Sequence, residues 1–137
     1  MKKLHKKVYF TGITVILAIL LVFTLFTPGC IGKAESVELY NQGIYYNNHY
    51  NQFDKALGYF NKSIELDPGN AQTWFAKSIA LYNMKRYDES LESLNTTLAL
   101  DPGFAAAWFQ KGDVLRILGR GNESEESLAK AKQLGYY

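Results

Sequence analysis

Two similar stretches lie in the second half of the chain, DPGNAQTWF at residues 67–75 and DPGFAAAWF at residues 101–109. They are 34 residues apart, and the same offset aligns Asn61 with Asn95 and Phe53 with Tyr87. A fixed period of about 20–50 residues is typical of stacked supersecondary units. The sequence therefore predicts a repeat that begins near Ser36 and continues to the last residue.

Each unit divides into two helical patterns. In the second unit an apolar face from Trp74 to Tyr82 is followed by a turn and by leucines at helical spacing, from Leu91 to Leu98. Proline cannot continue a helix, so each Asp-Pro-Gly marks the end of a unit. We expect the second helices to be N-capped by Asp54, Asp88 and Asn122, the last with a capping-box Glu125.

The pattern resembles the tetratricopeptide repeat (TPR), in which an aromatic residue and a Leu-Gly pair precede an alanine, a second aromatic residue and a closing proline. Residues 36–70 supply Leu39, Gly43, Tyr46, Ala56, Phe60 and Pro68. Residues 71–104 supply Trp74, Ser78, Leu81, Ser90, Leu94 and Pro102. Residues 105–137 supply Trp108, Gly112, Leu115, Ser124 and Leu128. The resemblance implies an all-α solenoid of three helix-turn-helix units.

Small residues and charged residues refine this expectation. Gly43, Ser78 and Gly112 are predicted to lie where the two helices of a unit cross closely. Leu57 and Leu91 are apolar because each packs against the next unit, whereas the matching residue of the third unit is Glu125. Lys132 likewise replaces an apolar residue, so we expect the third unit to end the array. The first unit has one extra residue, assigned to the turn at residues 47–52.

The resemblance also implies a binding surface, because the first helices of successive TPR units line a groove that holds a peptide. The groove positions of this chain are Tyr40, Ile44, Asn47, Phe75, Ile79, Tyr82, Phe109, Asp113 and Arg116. The rings among them predict an apolar, amphipathic-helix or tyrosine-rich ligand. Two alternatives stay open: the aromatic rings pack against neighbouring units, and Asp113 and Arg116 form a solvated pair. Tyr136 and Tyr137 either fold back or cover a partner.

The lysine and arginine clamp of chaperone-docking TPR domains is missing. At the clamp positions this chain has Tyr40, Ile44, Ala76, Ala106 and Gln110. Without those positive charges, capture of a peptide's terminal carboxylate is not expected.

Composition excludes several functional classes. The 137 residues carry 15 Lys+Arg and 13 Asp+Glu, a net charge of +2, but residues 36–137 alone have 10 and 12, a net of −2. A faintly acidic domain does not suggest nucleic-acid binding. With 1 cysteine and 2 histidines neither an intrachain disulfide nor a zinc site is expected. No catalytic motif or phosphate loop occurs, so we expect neither an enzyme nor a cofactor.

The N-terminus reads as a targeting segment, residues 1–30. MKKLHKK precedes an uncharged run from Val8 to Thr27, long enough to cross a bilayer as a helix. The basic flank predicts a cytoplasmic N-terminus and an exported repeat domain. Gly29-Cys30 resembles a lipobox, so the segment is either a lipoprotein signal with Cys30 lipidated or an uncleaved anchor. Residues 31–35 form a short tether.

We therefore expect a membrane-anchored, extracytoplasmic TPR adaptor that binds a protein through its concave aromatic groove. A self-associating structural element, or an accessory subunit of an envelope assembly or transporter, is the alternative. Three sequons, at Asn61, Asn95 and Asn122, are compatible with glycosylation after export.

Overall fold

The computed structural model describes the backbone of residues 28–136 and the side chains of residues 32–136. The predicted membrane segment, Val8 to Thr27, lies outside the described residues, as does the side chain of Cys30. The chain divides into two compact units, Met1–Ala34 and Glu35–Tyr137. The second unit contains all three predicted repeats.

Six helices make up the described part of the chain, and no strand occurs in it. They are α1 (Pro28–Tyr50), α2 (Phe53–Leu66), α3 (Ala71–Asn83), α4 (Tyr87–Leu100), α5 (Ala105–Ile117) and α6 (Gly121–Gln133). From α2 onward each helix packs against the next along the chain. Rings of α1 and α2 also pack together. Each repeat is therefore a helical hairpin, and the three hairpins stack as an all-α solenoid.

Helix α1 differs from its two counterparts in length. Residues 31–35, assigned to a tether by the sequence, form part of this helix. The extra residue of the first repeat also lies within α1, which continues to Tyr50 before the turn at Asn51. Asn51, Lys85 and Gly119 occupy equivalent positions after the first helix of each repeat, and all three have positive φ. The turns are therefore alike although the helix before the first one is longer.

The predicted N-caps of the second helices are wrong. The capping residues are Gln52, Arg86 and Arg120, and none makes a side-chain capping bond. Asp54 and Asp88 instead lie inside the first turn of their helices. There a carboxylate stabilises the helix by its interaction with the positive end of the helix dipole. Asn122 and Glu125 lie within α6, so they form no capping box. The helices begin earlier than the sequence suggested, because the carbonyls of Gln52, Arg86 and Arg120 already accept the first helical hydrogen bonds.

A side-chain cap does occur at the start of α3. The Asn70 side chain accepts hydrogen bonds from the backbone N–H of Gln72 at 3.0 Å and of Thr73 at 3.4 Å. Phe104 is the equivalent residue before α5 and has no such bond.

The close crossing of the paired helices is confirmed. A Cβ built at Gly112 would lie 2.6 Å from Cγ of Leu128 and 3.2 Å from the backbone oxygen of Ser124. One built at Gly43 would lie 2.6 Å from Cδ1 of Phe60. Larger residues at these positions would force the helices apart.

Serine hydroxyls tie two of the three hairpins at the same crossing. Ser124 Oγ donates to the carbonyl of Gly112 at 2.7 Å, and Ser90 Oγ donates to that of Ser78 at 2.9 Å. Ala56 takes this place in the first repeat and is fully buried. The third hairpin thus has a polar link at the position where the first has only apolar packing.

The core consists of two clusters. One joins the first and second repeats and contains Ala56, Leu57, Phe60, Ala76, Ala80 and Leu81. The other joins the second and third repeats and contains Leu91, Leu94, Leu98, Ala107, Val114 and Leu115. Leu57 and Leu91 are each only 7% exposed, whereas Glu125, at the matching position of α6, is exposed. Lys132 is exposed too, so the outer face of α6 is charged as expected.

Among the described residues, no helix combines the length and the apolar character needed to cross a membrane.

Candidate functional site

The predicted groove residues lie on the first helix of each repeat, at the same spacing in α1, α3 and α5. Tyr40, Phe75 and Phe109 are equivalent positions, and a second and a third position follow four and seven residues later in each helix. Residues at i, i+4 and i+7 share one helix face. Each helix therefore contributes one stripe of three residues: Tyr40, Ile44 and Asn47; Phe75, Ile79 and Tyr82; Phe109, Asp113 and Arg116.

Each ring of the predicted aromatic row has an intramolecular partner. Tyr40 packs on Phe60 with ring centroids 6.2 Å apart. Phe75 packs on Phe104 at 4.8 Å. Tyr40 and Phe75 also pack against the core clusters that join successive repeats, as in the alternative in which the aromatic rings pack against neighbouring units. These contacts leave Tyr40 and Phe75 half-buried, with part of each ring still open to a ligand.

The third ring, Phe109, packs on Tyr136, with centroids 5.1 Å apart and the planes inclined at 42°. The Phe75 and Phe104 planes are inclined at 38°, so the two contacts are nearly the same. Tyr136 reaches this place because the chain turns at Gly135, with φ of 86°, and the Tyr136 N–H donates to the carbonyl of Ala131. Tyr136 thus folds back and packs on Phe109 as Phe104 packs on Phe75. Phe109 remains 39% exposed.

The remaining apolar groove positions are partly or largely accessible. Ile44, Ile79 and Tyr82 are half-buried, and the Tyr82 ring meets Tyr87 edge-on at 5.6 Å. Val37 and Ile117 extend the stripes at their ends and are 51% and 45% exposed. The groove face therefore presents apolar side chains from all three repeats.

Asn47 is the most buried polar residue of the groove positions. Its Nδ2 donates to Oδ1 of Asn48 at 2.8 Å. Its own Oδ1 is buried without a hydrogen-bond partner among the described residues. The carboxamide is therefore held by its neighbour and is not displayed to a ligand.

Asp113 and Arg116 form an ion pair within α5. Arg116 donates to Asp113 Oδ1 at 2.6 Å, and the Arg116 side chain is 69% exposed. Such pairs contribute little to stability because water screens them. The arrangement fits the solvated pair that the spacing predicted.

The two tryptophans of the repeat motif have a structural task. Trp74 Nε1 donates to the carbonyl of Pro68, and Trp108 Nε1 donates to that of Pro102, both at 2.9 Å. This bond explains why Asp-Pro-Gly and Trp recur at a fixed spacing. Lys111 lies over the Trp108 ring, 5.3 Å from its centroid, and burial lowers the pKa of this lysine.

The sequons acquire a packing explanation. Asn61, Asn95 and Asn122 are exposed, but the hydroxyl residue two positions after each is buried. Ser63 Oγ donates to the carbonyl of Ser36 at 2.8 Å, Thr97 Oγ1 to that of Ser93 at 2.9 Å, and Ser124 Oγ to Gly112. Helix packing therefore accounts for all three Ser/Thr positions, and glycosylation stays a prediction.

A cluster of tyrosines on the first repeat was not predicted from the sequence. Tyr45, Tyr46 and Tyr50 of α1 pack against one another, and Tyr46 also packs on Tyr59 of α2. We call these four residues the tyrosine cluster. Tyr46 and Tyr59 stack in parallel, with centroids 5.3 Å apart and planes inclined at 4°. The signal was present in the run YYNNHY, residues 45–50, which the sequence analysis assigned in part to a turn.

No group of three or more histidine, cysteine, aspartate or glutamate side chains in the described part of the chain could hold a metal ion. What the first helices present is an apolar surface with edges of polar residues. That arrangement is chemically suited to holding another polypeptide.

Two family profiles described as tetratricopeptide repeat match the chain, one over residues 49–110 and one over residues 105–134. The chain contains tetratricopeptide repeats. The profiles agree with the helical hairpins of the structure in both matched regions.

Solved TPR structures share this fold. The second TPR of Spaghetti (RPAP3) bound to an HSP90 peptide has a TM-score of 0.72 and 19% identity, with 74% of this chain and 94% of that chain covered. The Arabidopsis OM64 TPR domain has a TM-score of 0.74 and 17% identity, with 76% and 85% covered. A mutant of MamA has a TM-score of 0.66 and 25% identity, with 72% of each chain covered. No curated protein matches the chain in sequence.

Proposed function

We propose that the TPR array is an adaptor that binds a polypeptide partner through the face formed by α1, α3 and α5. The observation that supports it is the exposed apolar character of this face, above all Phe109 at 39% and Ile117 at 45%. Isolated exposed apolar residues are ordinary, but a stripe drawn from equivalent positions of successive helices is a typical interaction surface.

The similar solved structures favour this class of function. One of them is a TPR domain of Spaghetti bound to an HSP90 peptide, and another is a TPR2B domain of yeast Sti1 in complex with an Hsp70 peptide. The array of this chain lacks the lysine and arginine clamp expected for a terminal carboxylate: Ala76, Ala106 and Gln110 carry no charge. An apolar or amphipathic segment therefore suits this groove better than an acidic chain end.

The adaptor is proposed to sit on the outer side of a membrane. The uncharged run from Val8 to Thr27 is of spanning length, and its basic flank favours a cytoplasmic N-terminus. Protease treatment of intact cells tests this topology, because an exported array is digested while a cytoplasmic one survives. The intact mass of the purified protein distinguishes a lipidated Cys30 from an uncleaved anchor, since only lipidation removes residues 1–29 and adds lipid mass.

The groove is tested by removing apolar side chains that are not needed for folding. Tyr40 and Phe75 are unsuitable because they pack on Phe60 and Phe104. A double variant, Ile117→Ser with Val37→Ser, removes two of the most exposed groove side chains. We expect it to lose most of the partner recovered by the wild-type chain in a crosslinking pull-down.

The matched control is Leu66→Ser with Leu100→Ser. These leucines are also exposed, at 40% and 42%, but they end the second helices α2 and α4. The control variant should recover the partner as the wild type does. Equal recovery by the groove variant and the control would overturn the groove proposal. Sedimentation of the detergent-solubilised chain tests the self-associating alternative, which requires a concentration-dependent increase in mass.

A further inference from the structure

The tyrosine cluster lies on a different side of α1 from the groove. On that side of α1 the exposed residues are Glu38, Asn41 and Tyr45. The equivalent residues of α3 are Thr73, Ala76 and Ala80, which are buried against the preceding repeat. In α1 the same three positions are exposed, and Tyr45 is 47% exposed. This surface is therefore available in the described unit, and it is distinct from the groove face of α1, α3 and α5.

The rings of the cluster hold one another in place. Tyr45 meets Tyr46 edge-on at 5.7 Å and Tyr50 edge-on at 5.4 Å. The hydroxyl groups of Tyr45 and Tyr50 are 3.1 Å apart, and their hydrogen bond raises the pKa of Tyr45. The Tyr46 ring stacks on Tyr59. A ligand would thus meet a preorganised set of aromatic faces and edges.

A shallow cavity of about 460 Å³ opens between these rings and the polar residues of α1. Its lining consists of three tyrosines, two carboxamides and one carboxylate: Glu38, Asn41, Gln42, Tyr45, Tyr46 and Tyr59. Gln42 Nε2 donates to Glu38 Oε1 at 3.1 Å and so orients the carboxylate. Glu38 makes no ion pair with a lysine or arginine of the described residues. Glu38 is therefore the only charged side chain in the lining of this cavity.

The cluster already attracts one cation. Lys55 Nζ lies 3.9 Å from the centroid of the Tyr46 ring. Electron-rich aromatic faces attract cations, and the attraction is larger when water is partly excluded. The Tyr46 ring, which lines the cavity, therefore already accepts a cation from within the chain.

A second cavity shares Tyr59 with the first, and its charged lining residues are lysines. It is about 240 Å³ in volume and is lined by Lys55, Gly58, Tyr59 and Lys62. A ligand with many positive charges would be repelled here. A ligand that carries one cation beside an acidic group would be matched by Glu38 in the first cavity and by the two lysines in the second.

We propose that the tyrosine cluster and Glu38 bind an arginine side chain of a polypeptide partner that has an acidic residue close to that arginine. A guanidinium is planar, stacks on aromatic rings and donates paired hydrogen bonds to a carboxylate. It therefore uses both the rings and Glu38, whereas an ammonium group uses a single point of contact. The acidic neighbour lies against Lys55 and Lys62.

The test uses the full chain in non-ionic detergent and three capped peptides that differ at one position. Each contains a glutamate, and the varied residue two positions away is arginine, lysine or glutamine. Binding is followed by the NMR shifts of the tyrosine rings. We expect the arginine peptide to bind in the millimolar range and the glutamine peptide to bind at least about fivefold more weakly. Equal affinity for the arginine and glutamine peptides overturns the proposal, and equal affinity for the lysine peptide overturns the choice of arginine.

Variants locate the site. Glu38→Gln should weaken binding of the arginine peptide by about threefold, and Tyr45→Ala by about fivefold. The controls are Glu65→Gln, which removes an exposed carboxylate of α2 outside the cavity, and Tyr45→Phe, which keeps the ring. Both controls should bind as the wild type does. If Tyr45→Ala does not fold, the affinities of Glu38→Gln and Glu65→Gln for the arginine peptide still test the proposal. Unchanged binding by Glu38→Gln overturns it.

Discussion

The first and third repeats are both helical hairpins, but they differ in the side chains of their cores and outward faces. Both cross their helices at a glycine, Gly43 in one and Gly112 in the other. The first repeat packs Phe60 against its glycine and has a tyrosine-rich outward face, whereas the third packs Leu128 and has a charged outward face. The positions that repeat determine the hairpin, and the positions that depart from the repeat determine which surfaces can bind.

The largest expected difference between the two repeats is in the core. Phe60 is fully buried, whereas Leu128 is only half-buried. Phe60→Ala should lower the free energy of unfolding by about 4 kcal/mol and Leu128→Ala by about 2 kcal/mol, because the cavity left by the phenylalanine is larger and cannot fill with water. Urea unfolding followed by circular dichroism measures both. Equal losses would mean that the two repeats are packed alike, which contradicts the comparison.

A somewhat smaller effect is expected at the helix crossing of the third repeat. Gly112→Val should lower the free energy of unfolding by about 3 kcal/mol, because a backbone oxygen, that of Ser124, limits the space and cannot rotate away. The control is Gly58→Ala in α2, where an added Cβ meets nothing within 4 Å. That change should raise stability by about 0.5–1 kcal/mol, since alanine favours a helix. A stable Gly112→Val variant would refute the close crossing.

The serine link of the third repeat should make a measurable but modest contribution. Ser124→Ala removes the hydrogen bond to the Gly112 carbonyl and should cost about 1 kcal/mol in the same unfolding experiment. Ser127 donates within its own helix, to the carbonyl of Glu123. Ser127→Ala should therefore change stability by less than about 0.5 kcal/mol. If the two serines behave alike, the link between α5 and α6 carries no stability of its own.

The smallest effect concerns ion pairs that the first repeat lacks. Arg120 binds Glu123 through two hydrogen bonds and lowers the pKa of this carboxyl group, whereas the first repeat has Gln52 and Lys55 at these positions. Since the folded pKa is below the unfolded value of about 4.3, the pair stabilises the fold above that pH and stops doing so as pH falls through the folded pKa. The stability difference between the wild type and Arg120→Gln should shrink between about pH 5 and pH 3. A difference that does not change with pH would show that the pair has no such effect.

The 34-residue period was enough to predict the six helices, the paired crossings at Gly43 and Gly112, and the charged face of α6. Those features depend on which residues are small, apolar or charged at a fixed spacing, and both residue type and spacing can be read directly from the sequence. The N-caps could not be predicted, because Asp54 and Asp88 fit either the cap or the first turn of a helix. The helices begin after Gln52 and Arg86, whose backbone carbonyls accept the first helical hydrogen bonds.

The binding surfaces were only partly predictable. Resemblance to the family identified the stripes on α1, α3 and α5, but not the contact of Phe104 with Phe75. The sequence left open whether Tyr136 folds back, as it does onto Phe109. Those contacts join residues far apart in sequence. The tyrosine cluster was missed for a related reason: only the longer α1 and the approach of Tyr59 from α2 bring its rings together.

The groove proposal is tested most directly by site-specific photo-crosslinking in the cells that produce the protein. A photoreactive residue is placed at Ile79, Phe109 or Ile117 on the groove face, or at Leu66 or Leu100 on the second helices, in the full chain. We predict that the three groove positions crosslink to the same polypeptide and that the two control positions do not. Crosslinking of that polypeptide with equal efficiency from all five positions, or from the control positions alone, would contradict the groove as the binding surface.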